Sequence, residues 1–491
     1  MQDIIIFGVG EIGKDAISYL KDKCRILFLV DNDESKWGSF LEKHIIKSPN
    51  QIKQYSCKVI VASTKYLLEI VNQLQKIGVH QDRIYLCRRY QTDTGNQLEI
   101  YPLNVSNVIT TKKKLIEYDL LENIEQASKN TRIMVYCTFY STYTKQLIEN
   151  MSKYYDDIEY GLITNKKEYK EKIESQKLKH IYCFQSIADL KTILEQLPIY
   201  DVMQLLWIER EWAFFYNLIR KKAKKLNLNV GGSDFYRASK EERAFKRELV
   251  KCADKVTAET VGTIQDFKSY YKDVVCGKIE LLPFGIEVLE LINSCRAKNV
   301  NEIKEKYNIP YQKIVVTCGY NAGEAHQHRS IIKALDKLSD NVKQNIVCVF
   351  PMTYPSQREE YIGEVREYLS RVDIDYIILT EFMDFMKMAE YAVVSDIMIH
   401  VQTTDQLSST MLEQMYSGSV IITGDWLPYK SLHEMGIYFL DVSRISDVTT
   451  ILEDVVMNLQ KYKEKCKGNE EIIWKHSSWD TIAPKWRDIW E

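Results

Sequence analysis

Short apolar runs of strand length alternate with longer stretches of helical period along the whole chain. This is the pattern of parallel sheets joined by crossover helices. The first block contains the runs 3–10, 25–31 and 58–63, with a helix predicted over 11–22. It closes near residue 90, where the polar stretch 91–97 reads as a separator. A second block restarts at the run 132–137, with its loop at 138–144. It continues through 158–164, 180–184 and 201–207 to the segments 228–236 and 253–260. A third block opens at 313–319 and repeats the alternation at 345–352, 375–381, 396–401 and 419–425. The charged stretch 115–129 reads as a helix, either a solvated connector or an edge element of the first domain.

The expected architecture is therefore α/β: two Rossmann-like domains facing a cleft, with an extra Rossmann-like domain at the N-terminus. The boundaries expected are 1–92, 93–303 for an acceptor-side domain and 304–475 for a donor-side domain. A C-terminal helix over 476–491 is expected to pack back on the acceptor-side domain. Doubly wound sheets bind ligands at the carboxyl ends of their strands, so the chemistry is sought there.

At 491 residues the chain is long enough for about three ordinary domains. Its 66 basic and 68 acidic residues nearly cancel, so the net charge of −2 gives no reason to expect a nucleic-acid partner. No basic leader with a long apolar core and no apolar run of spanning length is present, which predicts a cytoplasmic protein. The eleven cysteines include no C-x-x-C pair, and reduced, mostly buried thiols are expected.

Gly8-Val9-Gly10-Glu11-Ile12-Gly13 follows a strand and opens a helix. In that context glycines let backbone N–H groups approach a phosphate. The next strand ends at Asp31, where a carboxylate could accept hydrogen bonds from a ribose diol. A nucleotide or NAD(H) is the ligand such a turn could hold, and a scaffold without ligand is the alternative. Asp31 and Asp33 also have the spacing of a metal pair, but the end of a second Rossmann strand is the wrong place for one. The segment 30–38 resembles small N-terminal nucleotide-binding domains found ahead of sugar-modifying enzymes in bacterial polysaccharide clusters.

The segments 252–260, 278–288, 313–335 and 405–425 together resemble the GT-B glycosyltransferases, especially those of family 4. The resemblance implies a Pro-x-Gly link between domains at Pro283-Phe284-Gly285. It implies a glycine turn from Gly319 to Gly323 facing the donor diphosphate. It also implies an acid-x7-Glu pair, Asp405 and Glu413, that holds the donor sugar and ribose. The segments 229–236, 319–328 and 349–369 are similar to the transferase that adds an acetamido-dideoxygalactose to the lipid-linked precursor of enterobacterial common antigen. That relative lacks the acid-x7-Glu pair.

These resemblances imply a donor site for a UDP- or other nucleoside-diphosphate sugar, without an obligatory metal. Gly319 and Gly323 would admit the diphosphate, Asn321 would take a left-handed turn conformation, and His328 or Arg329 would donate to phosphate oxygens. Family 4 members use an Arg and a Lys near here, whereas this chain has His326, His328 and Arg329. Ser408, Ser409 and Thr410 stand where a helix should begin, so hydroxyls and free N–H groups would meet an anion there. Asp234, in the Gly231-Gly232-Ser233-Asp234 loop, is the first candidate base for an acceptor hydroxyl. The acid-x7-Glu pair leans to a retaining transfer and the Asp234 loop to an inverting one.

The implied activity is transfer of a sugar to a glycan, lipid-linked or protein acceptor in bacterial surface polysaccharide assembly. A helix over 207–227, rich in aromatic and basic residues, could rest on an anionic membrane surface. Oligomerisation stays open. The rival readings are an NAD-dependent sugar oxidoreductase or epimerase centred on the first block, and a non-catalytic partner subunit. The oxidoreductase should carry a Tyr-x-x-x-Lys set beside Gly8 to Asp31, and none is seen.

Overall fold

A computed structural model describes residues 1–63, 65–92, 95–108, 130–137, 142–165, 173, 175–354 and 358–491. The connecting helix expected over 115–129 and most of the loop 138–144 lie outside the described residues, as do residues 355–357 of the segment 349–369.

The N-terminal sheet is built from β1 (Gln2–Phe7), β2 (Cys24–Val30), β3 (Phe40–Leu41), β4 (His44–Lys47), β5 (Lys58–Val61), β6 (Ile84–Thr92) and β7 (Gly95–Pro102), in the order β3-β4-β2-β1-β5-β6-β7. The five strands β4, β2, β1, β5 and β6 run parallel, and an antiparallel edge strand closes each side. Ile4, Ile6, Ala16, Ile17, Leu29 and Ile60 fill the space between this sheet and the helix Glu11–Leu20. The polar stretch 91–97 is no separator. Its described residues belong to paired antiparallel strands, Gln91 opposite Asn96 and Thr92 opposite Gly95, so the sheet continues to Pro102.

The middle strands are β8 (Thr131–Tyr136), β9 (Ile158–Thr164), β10 (Leu178–Cys183), β11 (Tyr200–Leu206), β12 (Ala223–Asn229), β13 (Lys255–Ala258) and β14 (Ile279–Leu281). The C-terminal sheet comprises β15 (Ile314–Cys318), β16 (Ile346–Pro351), β17 (Tyr376–Leu379), β18 (Ile397–His400), β19 (Val420–Gly424) and β20 (Leu440–Val442), in the order β17-β16-β15-β18-β19-β20. Every pairing in it is parallel. Strands buried on both faces read as unbroken apolar runs, which is why 345–352 and 396–401 are legible as strands from the sequence.

Residue contacts divide the chain into two compact units. One holds Met1–Tyr140, Asp157–Leu226 and Ala238–Ala253, and contains the N-terminal sheet together with the order β10-β9-β8-β11-β12. The other holds Ser141–Asp156, Asn227–Arg237 and Asp254–Glu491, and contains the end of β12 paired to β13, β13 paired to β14, and the whole C-terminal sheet.

The helix expected over 207–227 is not a single element. Arg210–Phe214 and Tyr216–Lys221 are two short helices, and the chain enters β12 at Ala223. Trp212, Phe214, Phe215 and Ile219 are buried in the core rather than turned to a surface. The basic side chains serve local ends: Lys222 donates to the carbonyls of Glu195 and Leu197, Arg220 to that of Ala223, and Lys224 to Asp201. Among the described residues no helix is long and apolar enough to cross a membrane.

The second unit is closed by the terminal helix Trp479–Trp490. Asn227 donates to the carbonyl of Ile489 at 3.1 Å, Ile286 N–H to Ser477 O at 2.7 Å, and Tyr154 O–H to Asp480 at 2.6 Å. The Pro283-Phe284-Gly285 turn sits under this helix. A Cβ on Gly285 would stand 2.4 Å from the Trp479 ring, and Phe284 packs on Trp486 with centroids 5.1 Å apart. Overpacking of this kind costs about 1–3 kcal/mol. Gly285→Ala is therefore expected to lower unfolding free energy by that amount in urea titrations. Gly363→Ala is expected to be neutral or mildly stabilising, because Gly363 lies inside the helix Glu359–Leu369 with open space at its Cβ position.

Candidate functional site

Three strand ends of the C-terminal sheet converge in the second unit. β15 ends at Cys318, and Gly319 then turns with φ +70°, a left-handed conformation that glycine accommodates. A Cβ there would also lie 2.9 Å from His328 Nε2 and 3.2 Å from His326 Nδ1, so the two imidazoles press on the bare backbone. Asn321 does not take the expected left-handed conformation; in this loop Gly319 and Gln327 do. The Asn321 side chain instead accepts from Gly323 N–H at 2.7 Å and shapes the turn from inside. Gln327 donates to the carbonyl of Val401 at 2.7 Å, and Thr403 N–H to that of Ala325 at 2.9 Å, which fastens the loop to the segment after β18.

His326 and His328 are buried, and burial pushes both imidazoles down, that of His328 to about 4. They are neutral at pH 7. His328 Nδ1 lies 3.1 Å from Tyr361 Oη, while its Nε2 and both ring nitrogens of His326 have no hydrogen bond. Arg329 is ion-paired with Glu364 and lies over the Tyr361 ring. Two cations are set against this loop from elsewhere: Arg358, ion-paired with Glu324 at 3.1 Å, and Arg237, whose charge acts on His326 and whose guanidinium donates to Thr404 Oγ1 at 3.1 Å.

Asp405 follows β18 and is held by a hydrogen-bonded cage. Tyr429 O–H donates to its Oδ2 at 2.6 Å, Gln406 N–H to Oδ1 at 2.9 Å, and His400 Nε2 lies 3.3 Å from Oδ2. His400 Nε2 is also 3.0 Å from Tyr429 Oη. The phenol hydrogen goes to Asp405, so the imidazole must donate from Nε2, which fixes its tautomer. His400 stacks between Tyr320 and Tyr429, with centroid separations of 5.8 and 5.9 Å.

The helix Ser409–Ser417 begins beside this cage and stops at Gly418, whose φ of +97° closes it. The three hydroxyls before and within its first turn do not all point to one anion. Ser408 Oγ accepts from Met411 N–H at 3.1 Å as the N-cap, Ser409 Oγ pairs with Tyr143 Oη at 2.7 Å, and Thr410 is half-buried without a hydrogen bond to its hydroxyl. Glu413, one turn on, is 3% exposed and makes no hydrogen bond among the described residues, and burial raises its carboxyl to about 8.

Glu259, at the end of β13, was not singled out from the sequence. Burial and the charge of Asp405 together raise its carboxyl to about 8. Two close approaches bring its surroundings to the Asp405 segment and the loop after β19. Gly232, at φ +84°, would meet Gln406 Cβ at 2.6 Å if it carried a Cβ, and Gly262 would meet Pro428 Cβ at 3.0 Å. Asp234 follows Gly232 in the short helix Ser233–Tyr236. Neither Glu259, Arg237 nor the His400–Tyr429 pair has a local spacing signature. Their common signal is position, each at or just beyond a strand end or a glycine turn.

In the first unit Gly8 has φ +108°, and a Cβ would sit 2.6 Å from Ala62 O; a Cβ on Gly13 would sit 2.1 Å from Gly8 O. Gly10 stands at the N-cap of the helix Glu11–Leu20 without a side-chain cap. Asp31 accepts from Val9 N–H at 3.2 Å and from Asp33 N–H at 2.9 Å, with Lys36 beside it. Gly8 and Gly13 thus have packing reasons of their own, and the Asp31 carboxylate is spent on the turn that carries it. Among the described residues no group of three or more His, Cys, Asp or Glu side chains is arranged for a metal.

The fold is of the GT-B type, with several parallel sheets and Rossmann-like domains. The structure is similar to a glycosyltransferase from Rickettsia africae at 14% identity and TM-score 0.61, covering 74% of this chain and 98% of that one. It is similar to Anabaena HepE in complex with UDP and glucose at 12% identity and TM-score 0.60, covering 73% and 99%. Sucrose-phosphate synthase from Thermosynechococcus elongatus matches at 13% identity and TM-score 0.59, covering 74% and 98%. Residues 1–85 match the family model described as C2185-like, N-terminal. No curated protein matches the sequence.

The two raised carboxyls give a pH signature in the empty protein. In the unfolded chain they ionise near 4.5, whereas folded Glu259 and Glu413 keep their protons to about 8. The unfolded state therefore binds fewer protons across that window, and stability falls as pH rises through it. Glu413→Gln should melt higher than wild type at pH 8.5, by about 2 °C or more, and the gap should shrink at pH 5. A gap of the same size at both values contradicts the assignment.

Proposed function

We propose that the chain is a glycosyltransferase that moves a sugar from a nucleotide-sugar donor to a hydroxyl of a glycan, lipid-linked or protein acceptor, in bacterial surface polysaccharide assembly. One observation carries this reading: a buried carboxyl without a partner among the described residues, Glu413, stands one turn into a helix beside the caged Asp405, at the strand ends of a GT-B fold. HepE, a neighbour in fold, is seen with UDP and with UDP-glucose.

In this reading residues 93–303 serve the acceptor and 304–475 the donor. Glu413 accepts the ribose diol, and the backbone of Gly319–Gly323 with Arg237 faces the diphosphate. His326 and His328 act as neutral imidazoles, and an N–H at His328 Nε2 follows if Tyr361 donates to Nδ1. Asp405 faces the anomeric carbon, where positive charge develops during transfer. The acceptor oxygen forms a bond to that carbon while the bond to the phosphate oxygen breaks, and its electron pair leaves on the diphosphate. Glu259 holds its proton at pH 7, so it donates a hydrogen bond rather than taking the acceptor's proton. The departing phosphate takes it instead, which supports retention; Asp234 is the base if the transfer inverts.

The test is a thermal-shift screen of nucleotide-sugars. One donor should stabilise wild type, and Glu413→Ala should weaken that donor by about 1.5–3 kcal/mol. Equal shifts in both proteins count against the site. Turnover should survive EDTA, and loss restored by Mn²⁺ contradicts transfer without an obligatory metal.

A further inference from the structure

β19 ends at Gly424, and two residues later the indole of Trp426 folds back over it. A Cβ on Gly424 would stand 2.4 Å from indole Cε2 and Cζ2, so the ring rests directly on bare backbone. Trp426 Nε1–H donates to the carbonyl of Gln402 at 2.7 Å, which fixes the ring's orientation. With one side on Gly424 and its polar edge satisfied, the residue is still 39% exposed. An indole left open to water but held by a glycine seat and a hydrogen bond is pre-organised for a ligand rather than merely left outside.

Its neighbours are those of the site. Gln402, whose main chain anchors the ring, sends its side chain to Tyr320 Oη at 3.0 Å and to Asp405 Oδ2 at 3.5 Å. Pro428, two residues beyond Trp426, touches Gly262 in the first turn of the helix that follows Glu259. A flat apolar face anchored on Gln402, whose side chain reaches Asp405, matches the two surfaces of a pyranose, a C–H face and a rim of hydroxyls.

We propose that Trp426 is the stacking platform of a pyranose-binding subsite beside Asp405. The placement rests on the glycosyl-transfer reading, and the pyranose belongs either to the donor or to the acceptor. Stacked on the ring, it presents its hydroxyls to the Asp405 and Glu259 carboxyl groups, so Trp426 selects sugars by the face they offer.

Wild type, Trp426→Ala and Trp426→Phe are titrated with UDP, dTDP and GDP and with their hexose conjugates. Saturation-transfer NMR with methyl pyranosides is then recorded in the presence of the nucleotide, and melting curves check both variants. Trp426→Ala should bind the bare nucleotide within about twofold of wild type. It should weaken a hexose conjugate about five- to tenfold if the platform carries the donor sugar, or lose the methyl pyranoside signal if it carries the acceptor. Trp426→Phe, which keeps an aromatic face, should retain most of the binding. Unchanged sugar binding in Trp426→Ala overturns the platform, and so does a loss in Trp426→Phe as complete as in Trp426→Ala. Wild type that binds nucleotide but no pyranose overturns the platform alone. Wild type that binds pyranosides through Trp426 but no nucleotide overturns the transfer reading and leaves the platform standing; binding of neither overturns both.

Discussion

Desolvation is the constraint on the acidic side chains of this region: Glu259 just beyond β13, Asp405 beyond β18 and Glu413 inside the helix Ser409–Ser417 meet it in different ways. Asp405 is the one given a cage, with Tyr429, His400 and the Gln406 amide satisfying its oxygens. Glu259 and Glu413 are left to hold their protons. Burial alone disfavours the charged form of Glu413, and burial together with the charge of Asp405 disfavours that of Glu259, so neutralisation is the cheaper outcome for both.

The glycines around this centre serve approach rather than flexibility. Gly232 lets its loop reach Gln406, Gly319 lets two imidazoles lie on the chain, and Gly424 seats the Trp426 ring. Each allows a side chain to stand where a Cβ would otherwise be, and together they fix the walls of the pocket. The anchoring of the terminal helix over Gly285 applies the same device to the scaffold.

Much of the fold is legible in the sequence because strands buried on both faces leave unbroken apolar runs, and five strands of the C-terminal sheet appear run by run. β20 does not, because Leu440-Asp441-Val442 is too short and alternates. The stretch 207–227 misled because its large apolar residues belong to two short helices, while Lys224 and Lys225 already lie in β12. The stretch 91–97 reads as a linker because polar residues at the ends of β6 and β7 have a linker's composition, although Gln91 and Thr92 pair with Asn96 and Gly95. For the site, Asp405 and Glu413 could be found because eight residues separate them in one segment. Glu259, Arg237, His400, Tyr429 and Trp426 could not, since they are carried by segments at or beyond the ends of four strands of two sheets, β12, β13, β18 and β19. The roles expected of His328 and Arg329 looked simple from residue type alone. Burial makes the first neutral and Glu364 pairs the second, and neither fact is written in the local sequence.

The central claim is that Glu413 waits in the empty site as a neutral acid and becomes a carboxylate when it accepts a ribose diol. Calorimetric titration of a nucleotide-sugar at pH 7.5, in two buffers of different ionisation enthalpy, reads the protons exchanged on binding. The account predicts release of a substantial fraction of one proton by wild type, and a marked loss of that release in Glu413→Gln. Binding with no proton exchange, or with the same exchange in both proteins, would contradict it.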